Sequence, residues 1–343
     1  MVQQRIRSLI ACLVCIAGMT AICTRGACAQ KMAQQRGDPA MPGARVLMDA
    51  HNCYPYFEWW GDRITRALAA GTPLAIEQDL LWYTDPRTHQ SRSVVTHGAP
   101  ATGQEPMLES YFFDTVRPVV EQALAAGNHG SWPVITLNLD LKTEEPEHLA
   151  AILATLQSHK EWITTARKTA NIREVQPLTV RPILVLTGES DAQQRGFYES
   201  VPVGGDLLLF GAAHTTEQDA MAAADVLEPE PADNYRRWWN NPWKVVEAGG
   251  QNKAGNWTAA DESRLRELVA HAHAHHLWIR FYTLDGATTP ELSSFGWFRG
   301  YNFGSLEAAK VRWRAAYLAG VDYVASDQYE ALSRYLEVLK KQR

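Results

Sequence analysis

The sequence predicts an α/β protein built as one closed (β/α)8 barrel, and three observations lead there. Eight short apolar segments alternate with helical patterns from about residue 45 almost to the end. Several of them, PILVLT, DLLLF and LWIRFYT, are continuously apolar rather than alternating, as parallel strands covered on both faces should be. No G-x-G-x-x-G follows a strand, which argues against an open dinucleotide-binding sheet.

In chain order, strands are expected near 45–51, 74–82, 133–142, 181–187, 206–211, 243–247, 277–284 and 321–325. Helical spacing covers 62–70, 107–126, 146–160, 257–275 and 305–319, with weaker patterns at 190–198 and 216–226. VLEPEPADN at 226–234 is too short for a domain linker and reads as a loop. Residues 44–343 therefore form one barrel domain.

The start of the chain reads differently. Arg5 and Arg7 precede an apolar run, and Ala27-Cys28-Ala29 closes the segment before Gln30. A charged start, an apolar middle and a small-residue end describe a secretory signal over 1–29, with export to the periplasm or exterior as the consequence. The run is short for a spanning helix, and Arg25 and Gly26 disfavour a lipid anchor at Cys28. Residues 30–43, polar with Gly and Pro, read as a flexible tail. Four of the five cysteines lie in the leader, so Cys53 alone remains and no internal disulfide can form. Cys53 reads as a small buried residue rather than a nucleophile.

The 343 residues are 46% hydrophobic and 21% charged, with a net charge of −5 and no basic block. That balance gives no electrostatic support to a nucleic-acid partner. Nothing in the sequence calls for an obligate protein partner.

Candidate chemistry gathers at strand ends. His51 closes the first strand, Glu77 and Asp79 fall in the second, His97 follows it, and Asp140 and Lys142 close the third. Residues two apart on a strand share a face, so Glu77 pairs in direction with Asp79, and Asp140 with Lys142. Acids pointing inward from apolar strands are costly unless a cation or partner neutralises them. In a barrel all of these meet at the C-terminal face, where such folds build their sites. Converging carboxylates suit a hard cation, Ca2+ or Mg2+, which leaves His51 and His97 for proton transfer. For any one residue the alternative is a hydrogen-bonded network in the barrel mouth.

The segments His51-Asn52, Ile76-Glu77-Gln78-Asp79, Val95-Thr96-His97 and Leu139-Asp140-Leu141-Lys142 resemble the glycerophosphodiester phosphodiesterase and phospholipase C-like barrel superfamily. Ile279–Thr283 and Gly320–Asp327 resemble its last two strands, so the likeness spans about 45 to 330. It implies Glu77, Asp79 and Asp140 as metal ligands, His51 and His97 as the acid/base pair, and a cyclic phosphate formed by a neighbouring substrate hydroxyl. Small phosphodiesters or phospholipid headgroups, met in transient contact with a membrane surface, are the implied partners.

The chain departs from the family pattern at two places. Asn52 stands where glycerophosphodiesterases usually carry Arg, and Asp140 where they usually carry Glu. Asp140-Leu141-Lys142-Thr143 is nearer the sphingomyelinase D-like branch, although Cys53 alone cannot make that branch's disulfide loop. A sphingomyelinase D-like phospholipase and a non-catalytic exported barrel binding a phosphorylated headgroup are the alternatives.

Other features carry less. Asn52, Lys142, Glu247 (expected to end strand six), Tyr282 and Trp297 are candidate substrate contacts. Trp297 belongs to a long aromatic segment, 285–304, leaving strand seven on the catalytic side and expected to cover the substrate. Trp238, Trp239 and Trp243 read as core. His271, His273, His275 and His276 look like a metal tract but end a helix on the opposite face, where they complement its dipole.

Overall fold

A computed structural model describes residues 38–55, 61–98, 101–127, 129–215, 219–251, 254–291 and 302–342. Eight parallel strands close on themselves: β1 (Leu47–Ala50), β2 (Leu74–Thr84), β3 (Ile135–Leu141), β4 (Ile183–Thr187), β5 (Phe210–Ala212), β6 (Arg236–Pro242), β7 (Trp278–Tyr282) and β8 (Tyr323–Ser326). β8 pairs with β1, and β1 with β2, which completes the ring. The expected (β/α)8 barrel is therefore present.

Helices α1 (Arg63–Ala69), α2 (Asp114–Ala126), α3 (Pro146–Ser158), α4 (Ala259–Ala274), α5 (Leu306–Ala319) and α6 (Tyr329–Lys341) flank the ring. Their boundaries follow local chemistry. Thr258 and Asp261 form a reciprocal capping box that starts α4, and Ser305 caps α5. Gly320, in the left-handed region that Gly adopts without strain, ends α5. No helix among the described residues is long and apolar enough to cross a membrane.

Strand six differs from expectation. The barrel strand is Arg236–Pro242, and only a short 3-10 turn, Trp243–Val245, occupies the expected place. Two arginines and two asparagines disguise the strand, because Arg236 and Asn240 serve polar neighbours rather than the core. The span 206–211 also divides: Asp206–Leu207 joins a small antiparallel sheet with Thr165–Arg167 and Leu178–Thr179, and the barrel strand follows at Phe210. β2 runs past the barrel rim and folds back against Ser91–Val95. α6, whose apolar residues Leu332, Leu336 and Leu339 are buried, was not anticipated.

The tail is shorter than expected. Ala40 is buried and its carbonyl accepts from Trp278 Nε1 at 3.1 Å, while the Gly43 amide donates to Asp322 at 2.7 Å. Residues 38–43 thus seal the N-terminal end of the barrel.

Candidate active site

The parallel register lays out the site. β2 and β3 place Glu77 beside Asn138 and Asp79 beside Asp140. Facing inward, these side chains line a cavity of about 410 Å3 at the C-terminal mouth, with His51, Asn52, His97, Lys142, Trp238, Asn240, Arg280 and Tyr282. Oxygens of Glu77, Asp79 and Asp140 lie within 4.8 Å of one another.

His51 is buried and held from both sides. Its Nδ1 lies 3.0 Å from Asp327 Oδ1 and its Nε2 lies 3.6 Å from Glu77 Oε2, and Tyr282 stacks on the ring at 5.9 Å. Burial alone would lower its pKa, but Glu77 and Asp327 outweigh that and raise it to about 9. Asp327 is fixed in turn by Asp285, which accepts from the Asp327 amide and the Ser326 hydroxyl, each at 2.7 Å. His97 sits at the rim beside the Tyr54 ring. Its pKa is lowered, first by burial and then by Lys142. The two imidazoles therefore differ in kind: one protonated and one neutral at pH 7.

Asn52 bridges the two groups. Its amide donates to Glu77 at 3.1 Å and its side chain donates to Asp327 at 3.0 Å. It does so from a left-handed backbone (φ 52°), a conformation Asn tolerates better than most residues.

Arg280 is buried and reaches Asp49, Glu77 at 3.1 Å and Asn240 at 3.0 Å. Glu77 consequently titrates low, at about 2: its burial cost is outweighed by Arg280 and His51. Lys142 Nζ lies 2.7 Å from Asp140 and 3.1 Å from Asp79, and these acids raise its pKa against the effect of burial.

Asp79 is the uncompensated member. It is buried, and neither carboxylate oxygen has a well-aligned hydrogen-bond donor despite the nearby ammonium. Burial, then repulsion from Glu77 and Asp140, holds its pKa well above the usual carboxylate range. Asp49, Glu77, Asp79 and Asp140 face Arg280, Lys142 and the His51 imidazolium, so the acids outnumber the cations that face them. The donor set fits a hard divalent cation held by Glu77, Asp79 and Asp140.

Of the residues singled out by sequence, His51, Asn52, Glu77, Asp79, His97, Asp140, Lys142 and Tyr282 line this cavity. Glu247 does not. The shifted sixth strand leaves it beyond the barrel rim, bound to Arg312 at 2.7 and 2.9 Å and to Trp243 Nε1 at 2.7 Å. Trp297 lies outside the described residues, as do Phe295, Phe298 and Tyr301. Phe303, from the same aromatic segment, packs beneath Arg312.

Trp238, expected only as core, is buried yet lines the cavity, with Nε1 donating to the Thr187 carbonyl at 2.8 Å. Cys53 is fully buried and its thiol is pushed up to about 12 by burial, as suits an inert residue.

Sequence reasoning gave no site role to Arg280 or Asp327. Arg280 was legible by the criterion applied to the acids, a charge inside the apolar run Trp278–Tyr282. Asp327 lies one residue past β8 and meets His51 only through closure of the ring.

No protein-family model and no curated protein match the sequence. Among solved structures, similarity is found to a glycerophosphoryl diester phosphodiesterase from Parabacteroides distasonis, at 14% identity over 89% of each chain with a TM-score of 0.43. A calcium-dependent phosphoinositol-specific phospholipase C from a Gram-negative Pseudomonas species is similar at 13% identity, over 86% of this chain and 93% of that one, with a TM-score of 0.47. A Plasmodium falciparum HPPK-DHPS is similar at 9% identity over 88% of this chain and 49% of that one, with a TM-score of 0.45. Likenesses this distant, spread over different chemistries, carry no functional argument, and the case rests on the residues of the cavity.

Proposed function

We propose that the protein is an exported, metal-dependent phosphodiesterase that cleaves glycerophosphodiesters or (lyso)phospholipid headgroups through a cyclic phosphate. The observation that carries this reading is the mouth itself. A carboxylate triad stands beside a buried imidazolium and a neutral imidazole. Binding alone does not require two proton-transfer groups of opposite protonation state.

His97, neutral and at the rim, takes the proton from the attacking hydroxyl of the substrate. His51, protonated and oriented by Asp327, delivers a proton to the leaving oxygen. Lys142 donates one ammonium proton to Asp140 at 2.7 Å and lies 3.1 Å from Asp79, which leaves a proton available to a phosphoryl oxygen. Arg280, fully engaged by Asp49, Glu77 and Asn240, positions Glu77 rather than touching substrate. Tyr282 and Trp238 offer apolar walls for the glycerol or headgroup part of the substrate. A divalent cation on Glu77, Asp79 and Asp140 supplies Lewis-acid stabilisation of charge on the phosphoryl oxygens.

The test is turnover of a panel of phosphodiesters, read by phosphorus NMR. A cyclic phosphate appearing before or in place of the monoester is expected. Cleavage of none of the panel, with Ca2+ or Mg2+ present, would overturn the reading.

A further inference from the structure

The opposite end of the barrel holds a second cluster, independent of the proposed activity. Glu228 follows the short helix Ala224–Leu227 and is completely buried. Its Oε2 lies 3.0 Å from His271 Nε2 and 2.7 Å from His275 Nδ1. Its Oε1 accepts from the Glu230 amide at 2.9 Å. Among the described residues no Lys or Arg pairs with Glu228, and the side chains that meet this buried carboxylate are the two imidazoles.

The histidines are placed for more than helix-dipole compensation. Positions four apart on a helix share a face, and here the two rings come within 4.1 Å of each other. The other two histidines of the tract behave differently: His273 is bound to Asp322 at 2.9 Å and His276 is exposed. The tract is thus not a uniform solvated run, and two members are selected to meet one buried acid.

We propose that Glu228, His271 and His275 form a structural Zn2+ site at the N-terminal end of the barrel. Two imidazole nitrogens and one carboxylate oxygen are a ligand set that Zn2+ takes at about 2.0–2.2 Å, with tetrahedral geometry completed by water. That geometry needs about 3.3 Å between ligand atoms, so the present separations of 3.0 and 2.7 Å must open by roughly 0.3 and 0.6 Å. Each imidazole would bind through the nitrogen that now faces Glu228; His271 Nε2 would give up its 2.7 Å hydrogen bond to the Glu228 carbonyl, its proton moving to the other ring nitrogen. The partly exposed His275 side chain leaves the site open to solvent for the ion and its water.

The ion would tie the end of α4 to the segment that leads into β6, the strand that carries Trp238 and Asn240 into the cavity. Its expected effect is therefore on stability rather than on chemistry.

The test is Zn2+ titration of chelator-stripped protein by calorimetry, with Ca2+ saturating the carboxylates at the other end, alongside thermal melting. One tight equivalent of Zn2+ and a rise in Tm of roughly 5 °C are expected. His275→Ala should weaken Zn2+ by about 100-fold or more, while His276→Ala should leave it unchanged. If Glu228→Gln folds poorly, His275→Ala remains decisive, because its side chain is partly exposed. Co2+ in place of Zn2+ should give the visible bands of a tetrahedral ion, lost in His275→Ala. Unchanged Zn2+ affinity in His275→Ala, or equal loss in His276→Ala, would reduce the cluster to hydrogen-bonded surface histidines and overturn the proposal.

Discussion

Asp79 and Asp322 lie at opposite ends of the barrel and are almost equally buried, yet they are treated very differently. Asp322 accepts from the Gly43 and Ile279 amides at 2.7 and 2.9 Å and from His273 Nε2 at 2.9 Å. Asp79 has no aligned donor on either oxygen. A satisfied buried acid holds structure together, whereas an unsatisfied one is a cost that the fold keeps for another purpose. Equal burial thus separates into a closed base and an open, electrostatically incomplete mouth.

The largest expected effects are at the mouth. His51→Ala and His97→Ala should each lower turnover by roughly two to four orders of magnitude, and the double variant should be little worse than either, since the pair acts as a unit. Steady-state rates on one glycerophosphodiester decide this. Wild-type turnover in His97→Ala would remove that residue from the chemistry.

The two aspartates give the next contrast. Asp322→Asn should destabilise the fold by about 1–3 kcal/mol, because it removes a fully used acceptor set. Asp79→Asn should lose no stability in metal-free protein while losing cation binding. Equal destabilisation by both substitutions in denaturant titrations would break the comparison.

Much of the mouth was legible before any fold was known, and for a physical reason. An acid or imidazole in an apolar strand announces its cost locally, and strand periodicity assigns its face, as for Glu77, Asp79 and Asp140. Partners that depend on closure were not legible in the same way. Asp327 reaches His51 across 276 positions of sequence. Glu247 was misplaced because Arg236, Arg237, Asn240 and Asn241 gave β6 a polar composition, so the next apolar run, at 243–247, looked more like the strand. The base was misread as well: Gly43 belongs to a polar, tail-like stretch, and only the fold brings its amide to Asp322.

A smaller effect concerns pH. Because the His51 pKa is raised to about 9 in the folded state, its imidazolium contributes stability in full below about pH 6.5 and loses it as pH rises through about 9. The denaturant midpoint of metal-free protein should fall over that window, and Asp327→Asn should move the fall to lower pH. A midpoint flat from pH 6 to 9.5 would show that Glu77 and Asp327 do not hold the proton on His51. Smallest of all, His271→Ala at the base should leave turnover unchanged at temperatures well below melting, since it touches nothing in the mouth.

The most direct measurement is turnover of a glycerophosphodiester by the wild-type protein in excess chelator, followed by return of Ca2+ or Mg2+ alone. Activity should vanish with chelation and return with the hard cation, and Glu77→Gln should fail to recover it at the same cation concentration. Full turnover in excess chelator would contradict the central claim that the carboxylates of the mouth are there to hold a metal.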